Sequence, residues 1–195
     1  MNKLILATLL SAYGLAAQAQ DNPLWMRHPA ISPDCKTIAF SYQGDIFTVP
    51  SSGGTAKQIT SNAAFDSYPV WSPDGSHIAF ASNREGSIDV WVMDANGGIP
   101  KRVTTNSGSE YPLRWKDNST IMFKASIMPT AKSIIFAGSY PQVYTVGMDG
   151  GRPKLFSDIT MDALDINASG DVLYIDRKGC LLYTSDAADD SLRVD

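Results

Sequence analysis

The stretches "ISPDCKTIAF" (Ile31–Phe40) and "WSPDGSHIAF" (Trp71–Phe80) are near copies that begin 40 positions apart in a chain of 195 residues. A second pair of landmarks, Gly53-Gly54 and Gly97-Gly98, lies 44 positions apart. The four extra residues are those of "NREG" (Asn83–Gly86), which has no counterpart in the first copy. A period in the low forties is typical of a propeller or solenoid array. The chain is therefore expected to repeat one supersecondary unit.

Each copy holds four short runs with strand character, separated by turn residues. The runs are "HPAIS", "TIAFSY", "DIFTVP" and "AKQITS" in the first copy, and "YPVWS", "HIAFAS", "DVWVMD" and "PKRVTT" in the second. They alternate apolar with other residues and are rich in Val, Ile, Phe and Trp. No window shows helical periodicity over even three turns, which excludes helical solenoids. Four antiparallel strands per repeat predict an all-β fold of the β-propeller class, with one blade per copy.

A third and a fourth copy follow, and both are less regular. The third begins with "YPLRWKDN" (Tyr111–Asn118) and has additional residues before its Gly-Gly turn. The fourth has Asn167–Gly170 in place of the proline turn and stops after two strands. We place the blades at about residues 24–61, 65–106, 110–157 and 160–179, so residues 22–179 form about three and a half blades.

The repeated Ser-Pro-Asp-Gly segment has the composition of a turn. Proline presets φ at its second position, and Asp commonly accepts hydrogen bonds from the backbone that follows it. We interpret Asp34 and Asp74 as turn residues and not as catalytic carboxylates. Gly75 fits a left-handed position, where Cys35 of the first copy should cost about 1 kcal/mol. The Gly-Gly pairs are interpreted as turns between third and fourth strands, and not as phosphate-binding loops.

Seven aromatic residues recur at equivalent strand positions: Phe40, Phe47, Trp71, Phe80, Trp91, Trp115 and Phe123. The alternative is a cofactor-binding box, but a blade has two apolar faces and can bury neither alone. We predict that these rings pack between neighbouring blades. Pro69 and Val70 lie with Trp71 near the expected axis, where either packing or ligand contact would suit them.

The chain holds no GxSxG, HExxH or CxxC motif, and no acidic group with the spacing of a Ca²⁺ loop. Its two histidines, His28 and His77, are expected at the surface and not as bases of a nucleophilic triad. We therefore predict no catalytic, cofactor-binding or metal-binding residue in this chain. The formal net charge of −4 and the lack of a Lys or Arg block argue against a nucleic-acid partner.

The first residues, "MNKLILATLLSAYGLAAQAQ", have the organisation of an export signal. Lys3 precedes an apolar run, Leu4 to Leu15, and Ala17-Gln18-Ala19 is a small-x-small cleavage site. The run is too short to span a bilayer of about 30 Å. We predict a signal peptide over residues 1–19 and a periplasmic or secreted protein that is not embedded in the membrane. No disulfide is expected between Cys35 and Cys180.

The segments "NPLWMRHPAISPD", "IAFSYQGDIFTVPSSGGTAKQIT", "YPVWSPDGSHIAFAS", "DVWVMDANGGIPKRVT" and "DRKG" resemble the N-terminal, TolB-like propeller of exported tricorn-type serine peptidases. The resemblance covers residues 22–179. It implies a ring of about six blades, followed by further propeller, PDZ and C-terminal-processing-peptidase-like segments. In that family the catalytic serine lies in the last segment, and the propellers are thought to admit and guide peptides. None of the family's catalytic residues has a counterpart here.

The resemblance makes this chain a truncated, unclosed propeller whose partners are a peptide or protein substrate and the missing segments of the same chain. The last residues, "CLLYTSDAADDSLRVD" (Cys180–Asp195), look like translated sequencing adapter, so residues 180–195 are expected to be non-native; the alternative is a genuine strand with an acidic tail. Two other functions stay open: a TolB-like periplasmic protein-binding scaffold, and the propeller of a prolyl-oligopeptidase-like enzyme. TolB proteins carry an α/β domain before the propeller, whereas here few residues separate Gln20 from the first strand at about Leu24.

Overall fold

The computed structural model describes residues 25–126, 141–167, 170–176 and 193–194, and every regular element in them is a β-strand. This confirms the predicted all-β class. No helix in these ranges is long and apolar enough to cross a membrane. The predicted signal peptide, Cys180 and most of the predicted non-native tail lie outside the described residues.

The first two copies form two four-stranded antiparallel sheets whose strands follow chain order. The first sheet contains β1 (Arg27–Ile31), β2 (Thr37–Tyr42), β3 (Asp45–Pro50) and β4 (Lys57–Gln58). The second contains β5 (Asp66–Trp71), β6 (His77–Glu85), β7 (Ser87–Asp94) and β8 (Lys101–Arg102). The fourth strand of each is only two residues long, and just after it a threonine hydroxyl, of Thr60 or Thr104, accepts a hydrogen bond from the backbone of the third strand. Each sheet is one propeller blade.

The third sheet has six strands and continues past the predicted end of the third blade. It contains β9 (Glu110–Asp117), β10 (Thr120–Ala125), β11 (Gln142–Gly147), β12 (Lys154–Ile166), β13 (Val172–Asp176) and β14 (Arg193–Val194). A boundary was predicted between residues 157 and 160, but β12 runs through it and pairs with β11 in its first part and with β13 in its second. The segment "SDITMDALDI" holds neither Gly nor Pro, so nothing in it interrupts a strand.

Apolar side chains fill the space between successive sheets. One cluster joins Ala39, Ile46 and Ile59 of the first sheet to Ile78, Phe80, Trp91 and Met93 of the second. A second cluster joins Ala79, Val90, Val92 and Val103 to Trp115, Ile121, Phe123, Ala125, Tyr144 and Val146 of the third sheet. Trp71 packs against the first cluster. Five of the seven predicted rings therefore lie between blades.

The other two rings, Phe40 and Phe47, lie on the outer side of the first sheet, which the described residues leave open. They stack with centroids 5.9 Å apart and line a groove of about 620 Å³ together with Pro29, Ile38 and Val49. In a closed propeller a neighbouring blade covers such a face. The structure is accordingly an incomplete, unclosed β-propeller.

The innermost strands of successive blades, β1, β5 and β9, lie side by side and form the wall nearest the axis. A repeated hydrogen bond ties them together: Trp71 Nε1 donates to the Ala30 carbonyl at 3.0 Å, and Trp115 Nε1 donates to the Val70 carbonyl at 3.1 Å. The two tryptophans that the repeat places at equivalent positions thus make equivalent contacts with the preceding blade.

Candidate functional site

The repeated Asp residues serve the turns. Asp74 Oδ1 accepts hydrogen bonds from Ser72 Oγ at 2.6 Å and from the Ser76 backbone N–H at 3.0 Å. Asp34 Oδ1 accepts the equivalent bond from Ser32 Oγ at 2.7 Å. These bonds, that from Ser72 foremost, lower the pKa of Asp74 from 3.8 to about 2. Both carboxylates therefore accept hydrogen bonds within their own turns, in agreement with their interpretation as turn residues.

The predicted left-handed positions are also present. Gly75 has φ +72° and Cys35 has φ +59°, so the first copy keeps the conformation despite its side chain. The Cys35 thiol is exposed and free. The Gly-Gly turns have positive φ at both glycines in all three sheets: Gly53, Gly54, Gly97, Gly98, Gly150 and Gly151.

The two histidines, which were predicted at the surface, are both partly exposed, and each contacts a neighbouring side chain. His77 Nδ1 lies 2.7 Å from Ser76 Oγ, beside the second Asp turn. His28 stacks on Tyr68 with ring centroids 3.7 Å apart. Burial, and to a smaller extent Arg27, lowers the pKa of His28 below 6.5, so its imidazole is neutral at pH 7.

His28 belongs to a row of three rings, here called the aromatic row, that consists of His28, Tyr68 and Tyr111. Tyr68 meets Tyr111 edge to face, with centroids 5.3 Å apart and planes at 72°. Each ring comes from the innermost strand of a successive blade, and each residue is followed by proline. Sequence reasoning missed the row, although its signal was present as "HP", "YP" and "YP" at one position of three copies.

The backbone of the row is left-handed in two blades, and the strand pairing is irregular beside the row in all three. His28 has φ +51° and Tyr68 has φ +54°, values that are uncommon for bulky residues and disfavoured before proline. The strand pairing shifts register between Arg27 and Ala30, and again between Ser67 and Val70. Proline cannot donate to the ladder, so a bulge at this dipeptide is its natural place in a strand. Strained conformations of this kind mark candidate functional positions.

A buried ion pair anchors the strand that carries Tyr68. Asp66 is fully buried, and its Oδ2 accepts a hydrogen bond from Arg84 Nη2 at 2.5 Å. The Arg84 guanidinium lies over the rings of Phe80 and Trp91, 5.3 Å from each centroid. Because breaking a buried pair leaves an uncompensated charge, Asp66 is held firmly at the start of β5.

The boundary between the second and third blades carries a second buried cluster, with two carboxyls and one guanidinium. Asp89 Oδ2 accepts from Arg102 Nη2 at 2.7 Å, and Glu110 is fully buried without a close hydrogen-bond partner for either oxygen. Burial raises the pKa of the Asp89 carboxyl and that of the Glu110 carboxyl. At Glu110 the charge of Asp89 adds to the rise in pKa, and the nearby Thr104 side chain opposes part of it. This boundary between blades therefore favours a protonated Glu110.

In the part of the chain that the structure describes, the grooves and the clusters of titratable side chains do not form a metal or catalytic centre. A polar groove of about 600 Å³ separates the first two blades at the turn edge, but its carboxylates, Asp34 and Asp74, are the ones bound within their turns. Over the described ranges no three His, Cys, Asp or Glu side chains are grouped so as to hold a metal ion. The aromatic row is therefore the best candidate for ligand contact.

Three solved structures share this fold. The putative TolB from Agrobacterium tumefaciens is 25% identical with a TM-score of 0.63, over 77% of this chain and 53% of that one. TolB from Acinetobacter baumannii is 24% identical with a TM-score of 0.63, over 78% and 38%. A puromycin-hydrolyzing peptidase from Mycobacterium tuberculosis is 16% identical with a TM-score of 0.60, over 80% and 29%. This chain thus spans about half or less of each of these proteins.

A sequence search of curated proteins finds no match. The family comparison does: residues 23–182 match the tricorn protease N-terminal beta propeller domain. The match covers most of the chain, and a β-propeller domain agrees with the blades described above. The chain therefore belongs to the family of tricorn protease N-terminal β-propeller domains.

Proposed function

We propose that this chain is the substrate-access propeller of an exported, tricorn-like serine peptidase, which guides peptides toward a catalytic segment located elsewhere in the same protein. The observation that carries the proposal is the family match over residues 23–182. We expect the chain to contribute access and not chemistry, because in the described residues Asp34 and Asp74 are bound within their turns and His28 is packed in the aromatic row.

Export is supported by the N-terminal sequence. Lys3, the apolar run after it and Ala17-Gln18-Ala19 have the order of a cleavable signal. We place the mature protein in the periplasm or outside the cell. In that compartment it would encounter unfolded or partly degraded proteins, which we propose as its substrates.

A TolB-like protein-binding scaffold is the second candidate. The specific observation in its favour is the likeness to the putative TolB from Agrobacterium tumefaciens, at 25% identity. The peptidase from Mycobacterium tuberculosis, at 16% identity, supports the fold alone and so adds little to a prolyl-oligopeptidase-like alternative.

The deciding experiment is to obtain the uninterrupted reading frame beyond Gly179 and to express the protein that it encodes. We expect a PDZ-like segment, then a peptidase segment with a catalytic serine, and hydrolysis of casein that disappears when this serine is replaced by alanine. Residues 20–179 alone should leave casein intact. A GxSxG elbow after the propeller would instead favour the prolyl-oligopeptidase-like reading. A stop codon after the last blade would refute both peptidase readings and leave the scaffold.

A further inference from the structure

We infer that the aromatic row of His28, Tyr68 and Tyr111 is a binding subsite for aromatic and other large apolar side chains of an extended, unfolded peptide. The inference rests on the proposed function in one respect, namely that peptides pass along the innermost strands. It adds the chemical class of the side chains that are held there and the residues that hold them.

The geometry of the row is that of a stacking platform. The centroids of His28 and Tyr68 lie 3.7 Å apart with their planes tilted by 31°, and Tyr111 meets Tyr68 at 72°. Rings in offset or edge-to-face contact leave further faces and edges free for another aromatic group. Tyr68, in the middle, remains 42% exposed although it contacts a ring on each side. One blade after another thus presents a ring toward the same strip of surface.

The row is also rigid before any ligand arrives. The prolines that follow the three rings restrict the backbone, and the buried pair of Asp66 and Arg84 fixes the start of β5. Tyrosine has few rotatable bonds and loses little entropy when it is ordered. Because the rings are already ordered, less of the free energy of peptide binding is lost in ordering them.

The prolines further determine how a peptide is recognised at this point. The strands β1, β5 and β9 are each the edge of their sheet, where an extended peptide could be added as a further strand. Pro29, Pro69 and Pro112 have no N–H to donate, which interrupts such a ladder beside every ring. Contact through side chains is therefore favoured over main-chain pairing at the row.

The charge around the row favours uncharged ligand groups. The carboxylates nearest in sequence to the tyrosines are those of Asp66 and Glu110. Both are fully buried, and that of Asp66 is paired with Arg84. The imidazole of His28 is neutral at pH 7, because burial and Arg27 lower its pKa. A basic side chain would lose hydration at the rings without gaining Asp66 or Glu110 as a partner, whereas the exposed Arg27 beside His28 could attract an acidic one at that end of the row, which the Glu-Glu peptide tests.

The test uses the full-length protein encoded by the uninterrupted reading frame, and where this protein has a catalytic serine the serine is replaced by alanine so that peptides bind without being cleaved. The probes are fluorescein-labelled Gly-Ser peptides that carry Phe-Phe, Ala-Ala or Glu-Glu at the centre, and the readout is fluorescence anisotropy at neutral pH. We expect the Phe-Phe peptide to bind more tightly than the other two. Tyr68→Ala and Tyr111→Ala should each weaken Phe-Phe binding about three- to ten-fold, the range of one aromatic pair.

Two variants make the result specific. Tyr68→Phe keeps the ring and should bind the Phe-Phe peptide as the unchanged protein does. Ile99→Ala is the matched control, because Ile99 is 96% exposed in the β7–β8 turn at the opposite end of the same sheet. It should change nothing. If Tyr68→Ala fails to fold, as judged by its thermal midpoint, then Tyr111→Ala and the three peptides still decide the question.

The inference and the proposed function can fail separately. Equal binding of the Phe-Phe and Ala-Ala peptides, or unchanged binding by both alanine variants, overturns the subsite even where casein is hydrolysed. Selective binding that depends on the row supports the subsite even in a protein whose reading frame contains no peptidase segment. In that case the missing segment refutes the proposed function, and the subsite stands.

Discussion

At the scale of single residues, Cys35 keeps a backbone conformation that its side chain disfavours. Its φ of +59° matches the +72° of Gly75 in the second copy. A Cβ added at Gly75 would meet Pro33 Cδ at 3.7 Å, an ordinary contact, so the cost lies in the backbone and not in crowding. We expect Cys35→Gly to raise the free energy of unfolding of the first blade by about 1 kcal/mol.

Urea unfolding of the complete protein, read by pulsed hydrogen exchange and mass spectrometry on peptides of the first blade, measures this change. The reverse variant, Gly75→Cys, is the control and should lower the protection of the second blade by a similar amount. A loss of protection in Cys35→Gly would contradict the account, since it would mean that the thiol contributes more than its backbone costs.

Asp74 links a single turn to acid stability. Its pKa is about 2 in the folded protein against 3.8 in the unfolded chain, because Ser72 and Ser76 donate hydrogen bonds to the carboxylate. A depressed carboxyl pKa stabilises the fold fully above 3.8 and loses this contribution as the pH falls toward 2. The thermal midpoint of Asp74→Asn should therefore depend less on pH between 4 and 2 than that of the unchanged protein. Parallel pH profiles for the two proteins would show that the turn carboxylate has no such role.

At the scale of strands, the tryptophans hold neighbouring blades in register. Trp115 is 3% exposed and donates to the Val70 carbonyl of the preceding blade at 3.1 Å. Trp115→Phe keeps a ring in place but removes the donor, which should cost about 1–2 kcal/mol at the boundary between the second and third blades. Faster hydrogen exchange in β5 and β9 of the complete protein is the expected readout. Trp71→Phe, at a less buried position, should have the smaller effect; the opposite order would refute this reading of the contact.

The strands also show where sequence reasoning succeeds and where it stops. The Ser-Pro-Asp-Gly and Gly-Gly turns were predictable because their conformations depend on residues within the turn itself. Local rules place a residue before proline in extended backbone, whereas His28 and Tyr68 are left-handed. Their contact arises only when two blades lie side by side, so no single copy encodes it. The same holds for β12, whose continuity depends on pairing with strands on both sides.

At the scale of the whole molecule, the repeat identifies which surface a closing blade should cover. Ile31 occupies the position of Trp71 and Trp115, both of which pack against a preceding blade, yet Ile31 is 56% exposed beside the open groove of the first sheet. We expect residues 20–179 alone to self-associate through this face, because an unpartnered apolar surface and an open blade promote association.

Ile31→Lys should then act in opposite directions in the two forms of the protein. In residues 20–179 alone it places a charge on the open face and should shift the sample toward monomer in analytical ultracentrifugation. In the complete protein the last blade of the ring would bury this position, so the same variant should lower the thermal midpoint, since a buried unpaired charge is costly. Ile99→Lys, at a fully accessible turn, should alter neither measurement. If Ile31→Lys leaves the complete protein unaffected, the first blade is not covered by another, and the ring stays open in the mature protein as it is in this chain.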